Sequence, residues 1–343
     1  MSYNFKKKID NIHLYPTSYK YESRINKEVT SLINLKIFKK ILIVGIWEPE
    51  LPEYEKQTEF IHVLRIKTGF EGNNSLFFKV LNILIFQIKV FQKLRFYSVK
   101  FINAHSLLVL PLSFLLKLKT KAKLIYDVHE LETERVGLSS FSKYFLKKIE
   151  KYFINYIDEI IVVSKPISNW YLNEYKLEKC HVIQNSPYIK NSPENKSSVF
   201  RKKFKINEKD IIYIYQGILT KERGIHLLLD TFKNLKKSNH IVFMGYGPLK
   251  KTLINESKKY SNIHFQDAVN VNEIMKYSSS ADIGLLLTSK FQGLSYKYSL
   301  ANKIHEYLMA GLPILVSNHF EYTSEILKKF NSGWSINSTK NNL

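Results

Sequence analysis

The sequence has little cysteine and no long apolar run, and both absences narrow the classes of protein that it can encode. Its 343 residues include one cysteine, Cys180, which excludes a framework of disulfides and a zinc site built from cysteines. A reducing compartment is therefore the simplest setting. The two most apolar stretches, residues 80–88 and 106–116, fall short of the ~20 residues that a membrane-spanning helix needs. The opening MSYNFKKKID is polar and charged, so we expect no signal peptide and a soluble or peripheral protein.

Acidic residues are also scarce relative to basic ones. The chain has 52 Lys and Arg against 30 Asp and Glu, a formal charge of +22, and its first 125 residues hold 21 basic and 9 acidic side chains. This excess favours an anionic partner, which leaves nucleic acid, anionic lipid and phosphorylated substrates open. A proteome rich in Lys, Asn and Ile would produce the same excess without implying any partner.

Residues 75–100 combine basic and apolar side chains at helical spacing. Lys79, Lys89, Lys93 and Arg95 are interspersed among the apolar residues, as in a helix that lies on a membrane surface. A core helix with a solvated basic face fits the same pattern. Both interpretations predict a helix.

Short apolar runs alternate with amphipathic stretches from Lys40 onward, which predicts an α/β chain with parallel sheets. Residues 184–210, rich in Asn, Ser, Pro and Lys, interrupt the alternation and are predicted to be a linker between domains 1–185 and 186–343. The predicted strands are residues 41–45, 62–66, 101–105, 123–129 and 159–164 before the linker, and 211–217, 240–247, 262–265, 282–287 and 313–317 after it. Two such halves would form a cleft, with ligands beyond the carboxyl ends of the strands. After ILIVG, interpreted as the first strand, the GxGxxG turn of a dehydrogenase is missing.

The stretch QGILTKERGIH places a glycine and two cations between a strand and a helix. Gly217 ends the strand, Lys221 and Arg223 lie in the loop, and a helix is predicted from about Gly224 to Leu235. Free backbone N–H groups and fixed cations at such a turn suit a phosphate, although turns of this kind are common. The next strand ends in FMGYGPL, where Gly245 and Gly247 would admit a base or ribose, or form only a tight turn.

The stretch ANKIHEYLMAGLP predicts a short helix over residues 301–310 with Lys303 and Glu306 on one face. Ile304, Tyr307 and Leu308 can then turn toward the core. Gly311 stops the helix and Pro313 starts the next strand. An ordinary surface ion pair is the alternative to a functional role.

The three stretches described above follow the linker in a characteristic order. In that order they resemble the nucleotide-sugar-binding domain of GT-B glycosyltransferases, in particular glycosyltransferase family 4. The first half of the chain resembles the family through fewer residues. Over both halves the resemblance extends from about Lys40 to Trp334. The stretches that carry it are YQGILTKERGIHLLL, IVFMGYGPL, ADIGLLL and SLANKIHEYLMAGLPILVS, with FINAHSLLVLPLSFLLK, KLIYDVHELETER, IIVVSKPISNWY and VIQNSP in the first half. The resemblance implies two Rossmann-like domains that face each other across a cleft.

The resemblance also implies roles for individual residues. Arg223 and Lys303 would grip the donor diphosphate, and Glu306 would accept hydrogen bonds from the ribose hydroxyls. His129 and Glu130 would lie near the donor sugar and acceptor and, with Arg223 and Lys303, make up the catalytic set. The implied donor-binding residues are Gly217, Lys221, Arg223, Gly245, Gly247, Tyr298, Asn302, Lys303 and Glu306, and those assigned to the acceptor side are His105, Glu132 and Arg135. For His129 the alternative is a strand-end histidine, and for Glu132, Glu134 and Arg135 it is a solvated charge run.

The chain departs from the family pattern in three places. Ile218 stands where the family often has an arginine, and Tyr298 stands where many members have a glutamate that contacts the donor sugar. The grip on the diphosphate would therefore depend more on Arg223 and Lys221. Members normally continue past the equivalent of Trp334 with helices that return to the first domain, and these are expected to be missing here.

The resemblance implies a retaining transferase that moves a sugar from a nucleotide-diphosphate donor, taken to be a UDP-sugar, to a hydroxyl of a lipid-linked or surface-polysaccharide acceptor. Capsule, O-antigen and lipopolysaccharide are the expected products, made at the inner face of a bacterial membrane by a peripheral cytoplasmic enzyme. Neither a cofactor nor a metal is expected, since the sequence offers no obvious cluster of metal ligands. A non-hydrolysing nucleotide-sugar epimerase stays open as a rival. So does a basic nucleic-acid-binding protein, suggested by +22 and by 22 Tyr and 22 Phe, although no nucleic-acid motif is found and no nucleic acid is expected as partner.

Overall fold

The computed structural model describes residues 8–20, 22–72, 75–135, 137–187, 196–288 and 293–338. The chain divides into two compact units, Met1–Gln184 and Asn185–Leu343. Each unit is a mostly parallel sheet with helices, so the expected α/β class with two Rossmann-like domains is confirmed.

Among the described residues, the first unit contains an eight-stranded sheet in the order β3-β4-β2-β1-β5-β6-β7-β8, in which β3 runs antiparallel to its neighbour and the other pairs are parallel. Its strands are β1 Lys8–Leu14, β2 Ile41–Ile46, β3 Tyr54–Lys56, β4 Ile61–Ile66, β5 Ser98–Ala104, β6 Lys123–Val128, β7 Glu159–Val162 and β8 His181–Val182. Its helices are α1 Ser23–Asn34, α2 Leu76–Leu94, α3 Leu110–Thr120, α4 Ser140–Ile154 and α5 Lys165–Tyr175. The five strands predicted for this half are all present.

The centre of this sheet is a strand that the sequence analysis did not predict. β1 lies between β2 and β5, so ILIVG belongs to the second strand of the chain and its interpretation as the first strand was wrong. In KIDNIHL the polar Asn11 and His13 are as buried as Ile12, because they hydrogen-bond within the core. Buried polar residues therefore conceal the apolar run that normally marks a central parallel strand.

The second unit contains a six-stranded parallel sheet in the order β11-β10-β9-β12-β13-β14. Its strands are β9 Ile211–Ile218, β10 Asn239–Tyr246, β11 Ile263–Asp267, β12 Ile283–Leu286, β13 Ile314–Ser317 and β14 Gly333–Ile336. Its helices are α6 Val199–Phe204, α7 Ile225–Asn234, α8 Lys250–Lys259, α9 Ile274–Ser278, α10 Leu294–Tyr298, α11 Asn302–Met309 and α12 Glu321–Lys329. The predicted strands and both predicted helices of this half are confirmed.

The predicted linker, residues 184–210, is only partly a connecting segment. Residues 188–195 lie outside the described residues, as do residues 339–343 at the end of the chain. From Val199 the chain already belongs to the second unit, because α6 places Phe200 fully buried in its core. The short apolar sequence VFRKKF carries too few turns to show helical periodicity, which is why it was included in the linker.

Among the described helices, none has the combination of length and apolar composition that crossing a membrane requires. The helix predicted over residues 75–100 is α2. It buries Phe86, Val90 and Leu94 against the first unit.

Candidate functional site

In each sheet the strand order reverses at one point, and polar side chains gather there. In the first sheet β1 separates β2 from β5, and in the second β9 separates β10 from β12. Ligands of open α/β sheets bind at such points, beyond the carboxyl ends of the strands. The candidate residues of each unit lie close to its reversal point.

Two glycines allow the ends of β9 and β10 to approach each other closely. A Cβ on Gly245, which has φ +155°, would lie 1.9 Å from the carbonyl oxygen of Gly217. Gly217 itself has φ +127°, and a Cβ there would lie 3.3 Å from the Lys303 Nζ. Side chains at either position would therefore strain the turn or displace this lysine, which explains why both are glycine.

The α11 helix directs Lys303 toward the end of β9. Its Nζ lies 4.0 Å from the centre of the Tyr215 ring. Burial, reinforced by the nearby charge of Arg223, lowers the pKa of Lys303 to about 7, and Glu306 opposes this shift. Two cations are therefore held close together at this strand end, an arrangement that an anionic ligand would stabilise.

Arg223 belongs to a short 3₁₀ turn, Lys221–Arg223, that follows β9. Its guanidinium lies over the ring of Tyr296, 5.5 Å from the centroid. The turn ends at Gly224, which has φ +74° and packs against β12, where a Cβ would meet the Leu287 carbonyl oxygen at 2.1 Å. This glycine fixes how the cationic turn leaves the sheet.

Glu306 is held by a residue that the sequence analysis missed. Gln216, the residue before Gly217, donates from its Nε2 to a carboxylate oxygen of Glu306. The Ser278 hydroxyl donates to Gln216 Oε1 at 2.7 Å, which fixes the orientation of the amide. Glu306 and Lys303 thus contact consecutive residues of β9, which argues against an ordinary surface ion pair.

The other predicted donor-side residues lie farther from this strand end or have less definite contacts. Lys221 is exposed in the 3₁₀ turn. Tyr298 is the last residue of α10, and its ring lies 5.7 Å from the Lys297 Nζ. Asn302 is exposed at the start of α11 and accepts a hydrogen bond from Asn185 at 3.0 Å. Gly247 ends the turn after β10, where a Cβ would meet Leu219.

In the first unit a chain of imidazoles connects β1, β5 and β6. His13 Nδ1 lies 2.8 Å from His105 Nε2, and His105 Nδ1 lies 3.0 Å from Asp127 Oδ2. His129 Nε2 lies 3.1 Å from the same carboxylate oxygen. At the far end, Asn11 Nδ2 lies 3.1 Å from His13 Nε2.

One set of neutral tautomers satisfies the chain from Asn11 through His13 and His105 to Asp127, while His129 Nε2 lies 3.1 Å from both His105 Nδ1 and Asp127 Oδ2. If Asn11 donates to His13, then His13 donates through Nδ1 to His105, and His105 donates through Nδ1 to Asp127. The opposite direction would point an unprotonated His105 nitrogen at a carboxylate oxygen. Burial, with the charge of the other imidazole, lowers the pKa of His13 well below its ordinary value, and burial lowers the pKa of His105 to about 4. Both rings are therefore neutral near pH 7.

Asp127, which the sequence analysis did not single out, is the centre of this network. It is fully buried, and Arg24 of α1 donates to both of its oxygens, at 2.9 and 2.5 Å. Burial alone would raise the pKa of the carboxyl, but hydrogen bonds from His105, His129 and Arg24 hold it well below its ordinary value. Asp127 therefore stays ionised and orients His129, which is the partly exposed member of the network.

Glu132 and Glu134 are not part of a solvated charge run. Glu132 and Glu134 lie in a 3₁₀ turn that buries both, so the solvated alternative is wrong for them. Glu134 pairs with Lys143 at 3.0 Å and Lys147 at 2.9 Å. Arg135 pairs with Glu130 at 2.9 Å and approaches Glu132 at 3.9 Å. The two buried carboxylates are thus each paired with or approached by a basic side chain, whereas Arg135 and Glu130 remain partly exposed.

Burial raises the pKa of Glu132 to about 7, against the opposing effects of Arg135 and of the 2.9 Å hydrogen bond from Ser106. Because the carboxyl keeps its proton to higher pH in the folded state, its burial costs stability as the pH rises from about 4.5 to about 7. We expect Glu132→Gln to stabilise the first unit relative to wild type by a margin that grows across this window to roughly 2–3 kcal/mol.

This margin can be measured by urea unfolding at pH 5 and pH 8, followed by fluorescence in a Trp334→Phe background. Trp47 and Trp170 then report on the first unit alone, since the protein has three tryptophans. Glu48→Gln is the matched control, because that side chain is exposed. Equal margins at the two pH values would contradict the prediction.

The fold also brings together metal-ligating residue types that the sequence analysis did not connect. His105, Asp127 and His129 have ligand atoms within 4.8 Å of one another, and so do His13, Glu28 and His105. Sequence spacing did not reveal these two groups, because their members come from β1, α1 and the ends of β5 and β6. Both oxygens of Asp127 already accept from Arg24, whose fixed charge a metal ion would have to displace. As they are positioned, His13, His105, Asp127 and His129 hydrogen-bond with one another.

Two family models match the chain, one in each unit. Residues 43–186 match Glycosyltransferase Family 4, and residues 196–342 match Glycosyl transferases group 1. Together the matches leave only residues 1–42, 187–195 and 343 outside.

Individual relatives are distant. The chain is 27% identical over 166 residues to the O-antigen biosynthesis glycosyltransferase WclY of Escherichia coli, a match that covers 48% of this chain and 44% of that protein. The match thus spans less than half the length of this curated relative. Sucrose-phosphate synthase from Thermosynechococcus elongatus has a similar structure, with a TM-score of 0.73 at 15% identity over 95% of this chain and 86% of that one. HepE of Anabaena, solved in complex with UDP and glucose, gives a TM-score of 0.64 at 14% identity over 90% and 80% of the two chains.

Proposed function

The chain belongs to the glycosyltransferases of family 4 and group 1, which have the GT-B fold, and on this premise we propose that it transfers a sugar from a nucleotide-diphosphate donor to a glycan hydroxyl. The donor that we propose is a UDP-sugar, as bound by HepE in its solved complexes. The acceptor that we propose is a lipid-linked precursor of a surface polysaccharide such as O-antigen, lipopolysaccharide or capsule, by analogy with WclY.

The observation that carries this proposal is the set of charges at the end of β9. Arg223 and Lys303 are held close enough that the charge of one lowers the pKa of the other. A diphosphate between them would restore the proton to Lys303 and relieve the repulsion of the two cations. Glu306, fixed by Gln216, offers a carboxylate acceptor for the two ribose hydroxyls.

The chemistry follows from where negative charge develops. When the bond between the anomeric carbon and the diphosphate breaks, charge accumulates on the leaving phosphate oxygen, and Arg223 with Lys303 stabilises it there. We propose that the acceptor hydroxyl attacks the anomeric carbon from the side that the diphosphate leaves and passes its proton to the leaving phosphate oxygen. Same-side attack retains the configuration and needs no protein nucleophile. In the first unit, His129 would contact the donor sugar or acceptor, held in orientation by Asp127. Glu130 would assist on the acceptor side.

We propose that the reaction needs neither a metal nor a cofactor. Two protein cations at the diphosphate take the role that a divalent ion has in other nucleotide-sugar enzymes. A loss of activity in chelator that is restored only by added metal would overturn this part of the proposal.

We further propose that the enzyme works in the cytoplasm as a peripheral protein on the inner face of a bacterial cell membrane. The support is the net charge of +22 together with a lipid-linked acceptor class. The rival epimerase would convert the donor without any acceptor, whereas a transferase releases nucleotide in proportion to acceptor consumed. A nucleic-acid-binding protein would bind RNA in a salt-sensitive, sequence-independent manner and ignore sugar nucleotides.

The donor site can be tested by measuring the melting temperature of the protein with UDP-, GDP-, ADP- and CMP-sugars and with the bare nucleotides. We expect one nucleotide class to raise the melting temperature by about 5 °C or more at about 100 times its Kd. Glu306→Ala should lose most of this shift, because it removes the ribose acceptor. Glu325→Ala, an exposed glutamate of α12, is the matched control and should retain it. A chain that no sugar nucleotide stabilises would refute the proposed donor site.

A further inference from the structure

One helix of the first unit exposes an apolar stripe to solvent. Leu76, Phe77, Val80, Leu84 and Ile88 of α2 are each between 51% and 78% exposed, and we call these five residues the α2 stripe. Four of them recur every four residues, so they share one side of the helix. A contiguous row of large exposed apolar side chains is unusual on a soluble protein and marks an interaction surface.

The α2 stripe is additional to the face that anchors the helix. Phe86, Val90 and Leu94 of α2 are buried against the first unit, so the helix does not need the stripe in order to dock. The apolar surface also continues beyond α2. The adjacent α3 exposes Leu118, and α4 exposes Phe141 and Phe145.

The charge around the stripe is of one sign. Residues 75–126 contain nine Lys and Arg and no Asp or Glu. On α4 the single carboxylate, Glu150, is fully buried and accepts hydrogen bonds from Tyr126, Tyr171 and Tyr175 at 2.5–2.8 Å. The solvent side of α2, α3 and α4 is therefore both apolar and cationic.

The apolar stripe and the positive charge around it together indicate which kind of partner could cover this face. A second copy of the chain would bring the same positive charge against this one, which costs free energy. An anionic lipid surface satisfies both properties, since the stripe enters the acyl boundary and basic side chains reach the phosphate groups. Lys79 is exposed at the edge of the stripe, and Arg95 is exposed five turns after Phe77 on the same side of the helix, so both can extend their charged groups toward that level.

We propose that the α2 stripe is the membrane-docking element of this protein and that its partner is an anionic phospholipid surface. The proposal deepens the proposed function, because it names the side chains that hold a transferase at the membrane where a lipid-linked acceptor resides. The binding itself does not depend on the identity of the sugar or the acceptor.

The test is co-flotation of the full chain with vesicles of phosphatidylcholine alone and of phosphatidylcholine mixed equally with phosphatidylglycerol. We expect binding to the anionic vesicles that weakens as salt rises, and little binding to the neutral ones. Leu84→Glu should lower partitioning by about tenfold or more, because it places a carboxylate in the acyl boundary. Lys79→Gln with Arg95→Gln should weaken binding to anionic vesicles only. Phe330→Glu, at an exposed apolar residue of the second unit, is the matched control and should bind as wild type does.

Three results would overturn the proposal. One is no flotation with anionic vesicles, and another is flotation that Leu84→Glu leaves unchanged at an unaltered melting temperature. The third is self-association that Leu84→Glu abolishes without any lipid binding, which would assign the stripe to a second copy. Nucleotide-induced stabilisation, measured on the same samples, separates the two proposals. If it persists while vesicle binding fails, only the docking element is wrong; if vesicles bind and no nucleotide stabilises, the donor assignment is wrong and the docking element stands.

Discussion

Arg223→Ala is expected to lower turnover by about 10²–10³-fold while the fold remains intact, the range found when one preorganised charge-stabilising donor is removed. The side chain is only half-buried and its guanidinium lies over the ring of Tyr296, so we expect the fold to tolerate its removal. The lost interaction is strongest when charge has accumulated on the leaving phosphate. Turnover should therefore fall more than donor affinity does.

The measurement is the initial rate of UDP release with the stabilising donor and a lipid extract as acceptor, analysed as kcat and KM separately. Arg223→Lys keeps the charge but loses the fork of donors, so it should recover only part of the rate. Lys258→Ala, at an exposed lysine of α8, controls for the loss of one positive charge from the same unit. An Arg223→Ala enzyme with wild-type kcat would remove the diphosphate role from this residue.

Asp127→Asn is expected to destabilise the first unit by about 3 kcal/mol, because it leaves the Arg24 guanidinium buried without its principal counter-charge. Glu28, whose carboxylate lies 3.0 Å from the Arg24 Nε, compensates in part, which places the expected value at the low end of the range for broken buried pairs. The amide has one acceptor oxygen where the carboxylate has two, so its N–H donors must face either Arg24 or the imidazoles. Activity should therefore fall through the orientation of His129 as well as through stability.

Urea unfolding in the Trp334→Phe background isolates this effect, since the two remaining tryptophans both lie in the first unit. The decisive comparison is the double variant Arg24→Met with Asp127→Asn. Removing the unpaired positive charge of Arg24 should recover a large part of the lost stability, although Arg24 also donates to the Ile183 carbonyl. If the double variant is no more stable than Asp127→Asn alone, the cost comes from packing and not from an unpaired charge.

Much of the second unit could be predicted because its signals are local. The runs IIYIYQG and HIVFMGYG are buried on both faces of a parallel sheet and therefore read as continuous apolar segments. The turn at Gly311, with φ +74°, ends α11 where the sequence predicted it. Lys303 and Glu306 could be placed on one helical face by spacing alone. Spacing could not show that Tyr215 and Gln216 are what they contact.

The first unit was harder to predict because its central strand is partly polar. Asn11 and His13 interrupt the apolar pattern of β1, and their burial is explained only by His105, which lies 92 residues after His13. A signal was present in the apolar residues Ile9, Ile12 and Leu14 before Pro16, but they do not alternate regularly and they follow a basic opening. The buried carboxylates of the Glu132–Glu134 turn gave no local sign of burial, since a charged run in a loop is normally solvated.

The sequence by itself determined the α/β class, the division into two units and the candidate residues at the ends of β9, β10 and α11. These follow from hydrophobic periodicity, from glycines at turns and from residue order, all of which are properties of neighbouring positions. The tertiary structure alone decided that Arg24 neutralises Asp127 across 103 residues and that Gln216 holds Glu306 across 90. It also decided that α2 buries one apolar face and exposes another. Such pairings depend on which strand ends meet at the reversal point of a sheet, and that geometry exists only once the strands have assembled.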